Sequence, residues 1–135
     1  MATKQTIYLP YLEAVVTHIE LMQQLGEIRF GVAEPTLVES ALARPHHAAV
    51  YEQADIIRQA ATLCLGLIKN HPWVGGNKRT ATALMDTFLW YNGWQVTAMR
   101  SQTIEMVLAV ESDRWQVDEI EAWLRQHTIK IEENR

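Results

Sequence analysis

From Ala54 to Asn70 the chain carries Ile56, Ile57, Ala60, Leu63, Cys64, Leu67 and Ile68 on one wide stripe of helical spacing. Ala61 and Leu65 extend that stripe nearly around the helix. A helix apolar on almost every side must be enclosed by other elements, so this segment constrains the fold more than any other. A second segment of the same kind runs from about Lys78 to Tyr91, with Ala81, Leu84, Met85, Phe88 and Leu89 on one face and Trp90 and Tyr91 near its end. Asn92-Gly93 then supplies a left-handed helix stop. The two segments are predicted to pack at the centre of the molecule.

The rest of the chain supplies the enclosing elements. Leu12, Val15, Val16, Ile19 and Met22 predict a first helix over about 11–24 with that stripe inward, stopped near Gly26. Pro35, whose missing N–H costs nothing in a first turn, opens a short helix holding Leu37, Val38, Ala41 and Leu42, and Pro45 closes it. Gln95 to Met99 reads as extended. Ser101 precedes a helix with Ile104, Val107 and Leu108 inward, and a last helix presents Ile120, Trp123, Leu124 and His127. The tail 132–135 is expected to fray. The prediction is an all-α, compact single-domain helical bundle of five or six helices over residues 1–135, with little strand. Its 48% hydrophobic and 21% charged residues suit one such core, held without disulfide or structural metal.

Charge and composition narrow the function. A formal net charge of −4 lacks the broad positive field of a sequence-independent nucleic-acid binder, so no direct nucleic-acid contact is expected. No apolar h-region opens the chain, and no apolar run approaches the roughly 20 residues of a membrane span, so a cytoplasmic protein with no membrane association is expected. Cys64, within an apolar run, reads as a buried small hydrophobe. His46-His47 reads as exposed loop, His18 as a boundary residue of the first helix, and Glu111, Asp113, Asp118, Glu119 and Glu121 as a solvated acidic surface.

The chemistry gathers between the two central helices, in His71-Pro72-Trp73-Val74-Gly75-Gly76-Asn77-Lys78-Arg79-Thr80. Glycines let a backbone approach a ligand closely, and the N–H groups at a helix start favour an anion. Lys78 and Arg79 add positive charge, and His71 is the nearby group whose ordinary pKa suits proton transfer near neutrality. On these residues alone a phosphate cradle and an ordinary polar loop are both open. The spacing is not that of a Walker loop.

This segment resembles the active-site signature of the Fic/Doc superfamily, usually written His-Pro-Phe-x-Asp/Glu-Gly-Asn-Gly/Lys-Arg. Lys78 after Asn77 resembles the Doc branch, the death-on-curing toxins of addiction modules, as do Glu39-Ser40-Ala41-Leu42-Ala43-Arg44-Pro45, Leu67-Ile68-Lys69-Asn70 and Asn92-Gly93. The resemblance spans at least residues 35–94 and implies a compact helical bundle. It implies that His71 is the catalytic base acting on a target hydroxyl, that Gly76, Asn77, Lys78 and Arg79 bind nucleotide phosphate, and that Trp73 anchors the loop. It further implies ATP as donor with magnesium, phosphoryl transfer to a host translation protein such as elongation factor Tu, and a small cognate antitoxin as partner.

Gly75 stands where the family carries the carboxylate that helps hold magnesium, so no protein ligand for the metal is assigned. That departure keeps open a catalytically impaired Fic-fold binding protein. A nucleotidyl (AMP) transferase is a third reading, against which Lys78 points to phosphoryl transfer. Thr82 occupies the position of a later family Arg that Doc-type sequences commonly lack. Asp86, two turns into the second central helix, is the candidate to replace the missing carboxylate.

Overall fold

The computed structural model describes residues 5–131. Six helices follow in order: α1 (Tyr11–Gln24), α2 (Pro35–Glu52), α3 (Ile56–Asn70), α4 (Asn77–Tyr91), α5 (Arg100–Glu111) and α6 (Val117–Gln126). Two three-residue strands, β1 (Trp94–Val96) and β2 (Thr128–Lys130), pair antiparallel with Gln95 opposite Ile129. The architecture is all-α, as the helical spacing predicts. The fraying expected of the tail concerns residues outside those described.

α3 is the axis of the bundle. Asp55 caps its start, accepting from the Arg58 backbone N–H at 3.0 Å, a cap of the kind that contributes about 1 kcal/mol. Every residue from Ile57 to Ile68 except Arg58 is buried, and α2, α4, α5 and α6 pack around it. Each Leu or Ile removed from water here contributes about 2 kcal/mol. Gly66 admits the Arg44 side chain of α2, which would lie 2.6 Å from any Cβ placed there.

Three details depart from the sequence reading. Pro45 does not close α2: the helix continues to Glu52 and stops at Gln53 in the left-handed region, φ 53°. A proline inside a helix forfeits one hydrogen bond and crowds the preceding turn, and burial of Pro45 and Ala48 against the bundle offsets that cost. His46 and His47 are therefore exposed helix residues rather than loop. α1 buries Ala14, His18 and Met22 and leaves Leu12 71% and Val16 44% exposed, because the contacts of His18 and Met22 with the loop before α4 set its rotation. In α5, Ile104 and Leu108 are exposed while Met106, Val107, Ala109 and Val110 are buried. The predicted inward pair instead borders an open groove.

The acidic stretch is not simply solvated. Arg58 is held by Glu52 at 3.0 Å and by Asp118 and Glu121 at 2.8 Å, and Arg125 joins Asp55 to Glu121 at 2.8 Å. These pairs pin α6 across the start of α3. Asp113 pairs with Lys69 at 2.5 Å, and Glu111 with Lys78 at 3.0 Å.

Candidate active site

α3 ends at His71, whose backbone adopts the left-handed conformation, φ 48°. The chain turns there and runs antiparallel to residues 31–34. Val74 N–H donates to the Gly31 carbonyl at 2.8 Å, and Ala33 and Glu34 N–H donate to the Pro72 carbonyl at 2.9 and 3.1 Å. Asn77 then closes the loop on itself: its Oδ1 accepts from Trp73 N–H and its Nδ2 donates to the Trp73 carbonyl, both at 3.0 Å. The Asn side chain thus shapes the turn, while Gly76, at φ 67°, is the residue that precedes α4.

Trp73 lies beneath this turn, 2% exposed, and stacks on His18 with ring centroids 4.3 Å apart and planes 16° from parallel. His18 is the residue that sequence reasoning placed at a boundary; it is fully enclosed. Its Nε2 accepts from the Gly31 backbone N–H at 2.9 Å. That acceptor role puts the proton of the neutral ring on Nδ1, which donates to Thr80 Oγ1 at 2.7 Å. Burial holds its pKa below the ordinary 6.5. One imidazole therefore joins α1, the 26–34 segment, the loop and α4.

Above this support, a cavity of about 350 Å³ is lined by His71, Gly76, Asn77, Lys78 and Arg79, together with Met22 and Glu27. The structure brings together the predicted base and the predicted phosphate-binding residues. Trp73 and Gly75 are not among the lining residues. The first backbone N–H of α4 to find a carbonyl is that of Thr80, bonded to Gly76 at 2.9 Å, so the N–H groups ahead of it are unpaired at the positive end of the helix dipole. His71 keeps an exposed ring, with Nε2 4.0 Å from Glu111 Oε2. Glu111 also holds Lys78, so one carboxylate at the end of α5 sits between the base and a cation. An imidazole, two cations and a helix start around one cavity suit proton transfer beside a bound phosphate.

Two glycines are fixed by sterics. A Cβ at Gly76 would strike the Met22 sulfur. A Cβ at Gly75 would stand 2.7 Å from the Arg29 carbonyl oxygen, a backbone atom with no freedom to swing aside. Gly75→Asp, which restores the family residue on paper, is therefore expected to lose about 1–3 kcal/mol in urea unfolding, and Gly75→Ala should lose a similar amount.

A second cavity, about 460 Å³, shares Lys78 and Arg79 and opens between α1, α4 and α5, lined by Leu21, Leu25, Ile104 and Leu108 among others. Asp86 and Thr82 border this groove and are absent from the lining of the first cavity. The Asp86 carboxyl reaches solvent, and the cavity walls push it up to about 6. Sequence reasoning did not single out Glu27, and it read Glu111 as surface, because no helical or motif spacing joins them to residues 71–79. For His18 a signal existed: a polar ring centred on the Ala14, His18, Met22 line of a helix is aimed inward.

Residues 8–89 match the family model described as Fic/DOC family. Over 80 residues the chain is 44% identical to Toxin Doc of Mycolicibacterium smegmatis (strain ATCC 700084 / mc(2)155), a match covering 54% of this chain and 61% of that protein. The chain thus spans about three-fifths of the length of that relative. Residues 8–89 contain the whole loop and every residue that lines its cavity, and Glu111 lies beyond them.

Proposed function

The chain belongs to the Fic/DOC family, and from that membership we propose that it is a Doc-type toxin, transferring a phosphoryl group from ATP to a hydroxyl of a host translation protein. The observation that carries this reading is the cavity of about 350 Å³ lined by His71 together with Gly76, Asn77, Lys78 and Arg79 at the start of α4. The unpaired N–H groups of that helix start bind phosphate oxygens, and the Arg79 guanidinium grips them as charge redistributes. The hydroxyl oxygen attacks the terminal phosphorus, its bond to the bridging oxygen breaks, ADP leaves, and the hydroxyl proton passes to the exposed His71 ring. Glu111, 4.0 Å from Nε2, stabilises the imidazolium so formed. Lys78 exchanges Glu111 for phosphate when nucleotide enters, and its bulk at this position favours transfer of the terminal phosphate over AMP.

Magnesium, when bound, supplies charge neutralisation of the phosphates. The motif alone does not fit it, since Gly75 offers no carboxylate and leaves no room for one. No step above depends on it.

The partner reading is a small antitoxin, supported by the apolar groove beside the site. Leu25, Ile104 and Leu108 are 41%, 48% and 47% exposed there, with Lys78, Arg79 and Arg100 among the same lining residues. An amphipathic helix with acidic residues beside its apolar stripe suits that combination. Among the described residues no helix is long and apolar enough to cross a membrane.

Incubation with ATP, magnesium and elongation factor Tu, followed by intact-mass measurement of the target, tests the reaction. A single phosphoryl adduct is expected. An AMP adduct overturns the reading in favour of nucleotidyl transfer. The absence of any adduct, with growth inhibition unchanged by substitution of His71, favours the binding-module reading that Gly75 motivates.

A further inference from the structure

One wall of the His71 cavity comes from outside the motif. Met22, near the end of α1, and Glu27, in the turn after it, line the cavity with His71, Gly76, Asn77, Lys78 and Arg79. The Glu27 side chain is exposed, and among the described residues no hydrogen bond or ion pair engages its carboxylate. Lys78, in the same cavity, is paired with Glu111 instead.

The backbone carrying Glu27 is fixed at both ends. Glu27 N–H donates to the Met22 carbonyl at 2.9 Å. Gly31 N–H donates to His18, and the Gly31 carbonyl accepts from Val74 at 2.8 Å. Between these anchors, the Arg29 carbonyl oxygen occupies the space that a side chain at position 75 would need, 2.7 Å from its Cβ. The close approach that excludes a side chain at Gly75 is thus made by the same short segment that presents a carboxylate to the cavity.

We propose that Glu27 is the carboxylate that serves a divalent cation accompanying nucleotide phosphates in this cavity, the acidic group having moved from the loop to the segment lying against it. The inference rests on the nucleotide reading above. Magnesium takes oxygen ligands, keeps several waters, and is commonly held by one or two carboxylates plus the phosphates themselves. One unpaired carboxylate beside a phosphate site meets that need. Among the described residues no group of three or more His, Cys, Asp and Glu side chains is placed to hold a metal ion, so the cation binds with the phosphates and not before them.

Calorimetric titration with ATP, in magnesium and separately in EDTA, tests this on the wild-type chain and on Glu27→Gln. Wild type is expected to bind ATP about tenfold more tightly with magnesium. Glu27→Gln is expected to lose that gain, to bind ATP in EDTA at least as tightly as wild type because a repelling charge is gone, and to keep its melting temperature. Manganese titrated without nucleotide should produce no binding heat with either protein. A Glu27→Gln protein that keeps the full magnesium gain overturns the assignment of Glu27 and leaves the nucleotide reading intact. Wild type that binds no ATP in either condition overturns the nucleotide reading, and this inference with it.

Discussion

His71→Asn is expected to lower phosphoryl transfer by about 10²–10⁴-fold with no loss of folding stability. The two effects separate because the ring is largely outside the core: the His71 side chain is 55% exposed, and its carboxylate contact among the described residues is Glu111 at 4.0 Å. Asn suits the test better than Ala. His71 sits at φ 48°, and among residues other than Gly, Asn tolerates the left-handed region best because its short polar side chain bonds locally. Asn presents an amide that accepts no proton at neutral pH, so the attacking hydroxyl loses its base while the turn keeps its shape. Urea unfolding should agree with wild type within about 0.5 kcal/mol. Transfer measured by target mass at equal concentrations should fall without a matching fall in ATP affinity. Retention of near-wild-type transfer sinks the role of His71 as base.

His18→Leu is expected to cost roughly 3 kcal/mol of stability, or about 10 °C of melting temperature in a chain of this size. Leu fills much of the same space but cannot accept from the Gly31 N–H or donate to Thr80 Oγ1, so both partners lose their bond to the buried face of α1. The stack on Trp73 is lost as well. The same residue predicts a pH effect. Its folded pKa lies below the unfolded value of 6.5, so acidification through and below 6.5 puts a proton on the unfolded chain first and favours unfolding. The stability His18 contributes is complete above pH 6.5 and is lost as pH falls toward its folded pKa. Asp86 acts in the opposite sense. Its carboxyl is raised from 3.8 to about 6, so the folded chain takes up the proton first between those values and acid stabilises it. A single pH profile would blend the two groups. The difference between wild type and His18→Leu isolates His18, and it should shrink as the pH is lowered from 7 to 5. A difference that stays constant over that range contradicts the buried neutral ring.

The bundle was legible because its stripes are long. α3 and α4 can bury Ile57, Leu63, Leu67, Leu84 and Phe88 only against each other and their neighbours, and Asn92-Gly93 marks the end of α4 locally. What failed was the reading of which face turns inward where two faces were both apolar. Leu12 and Val16 outweigh Ala14 and His18 in hydrophobicity, yet α1 buries the latter pair. The choice is made by the partner surface, where His18 satisfies Gly31 and Thr80 and Met22 fits over Gly76. Pro45 misled for a related reason: its local cost is fixed by the chain, while its compensation comes from burial within the folded bundle.

The all-α fold with its central apolar helix pair can be read from residue order alone, as can a loop whose His, glycines, Asn and two cations belong together because they are contiguous. Contiguity is what made the site readable, since ten adjacent residues stay near one another in any fold. What surrounds that loop depends on how the helices pack. His18 supports it from 53 residues before His71, Glu27 enters its cavity from a turn 44 residues upstream, and Glu111 reaches Lys78 from 33 residues downstream. No periodicity links such positions. They meet because helix packing brings α1 and the end of α5 to the start of α4, and because Gly75 leaves space for the backbone that carries Glu27.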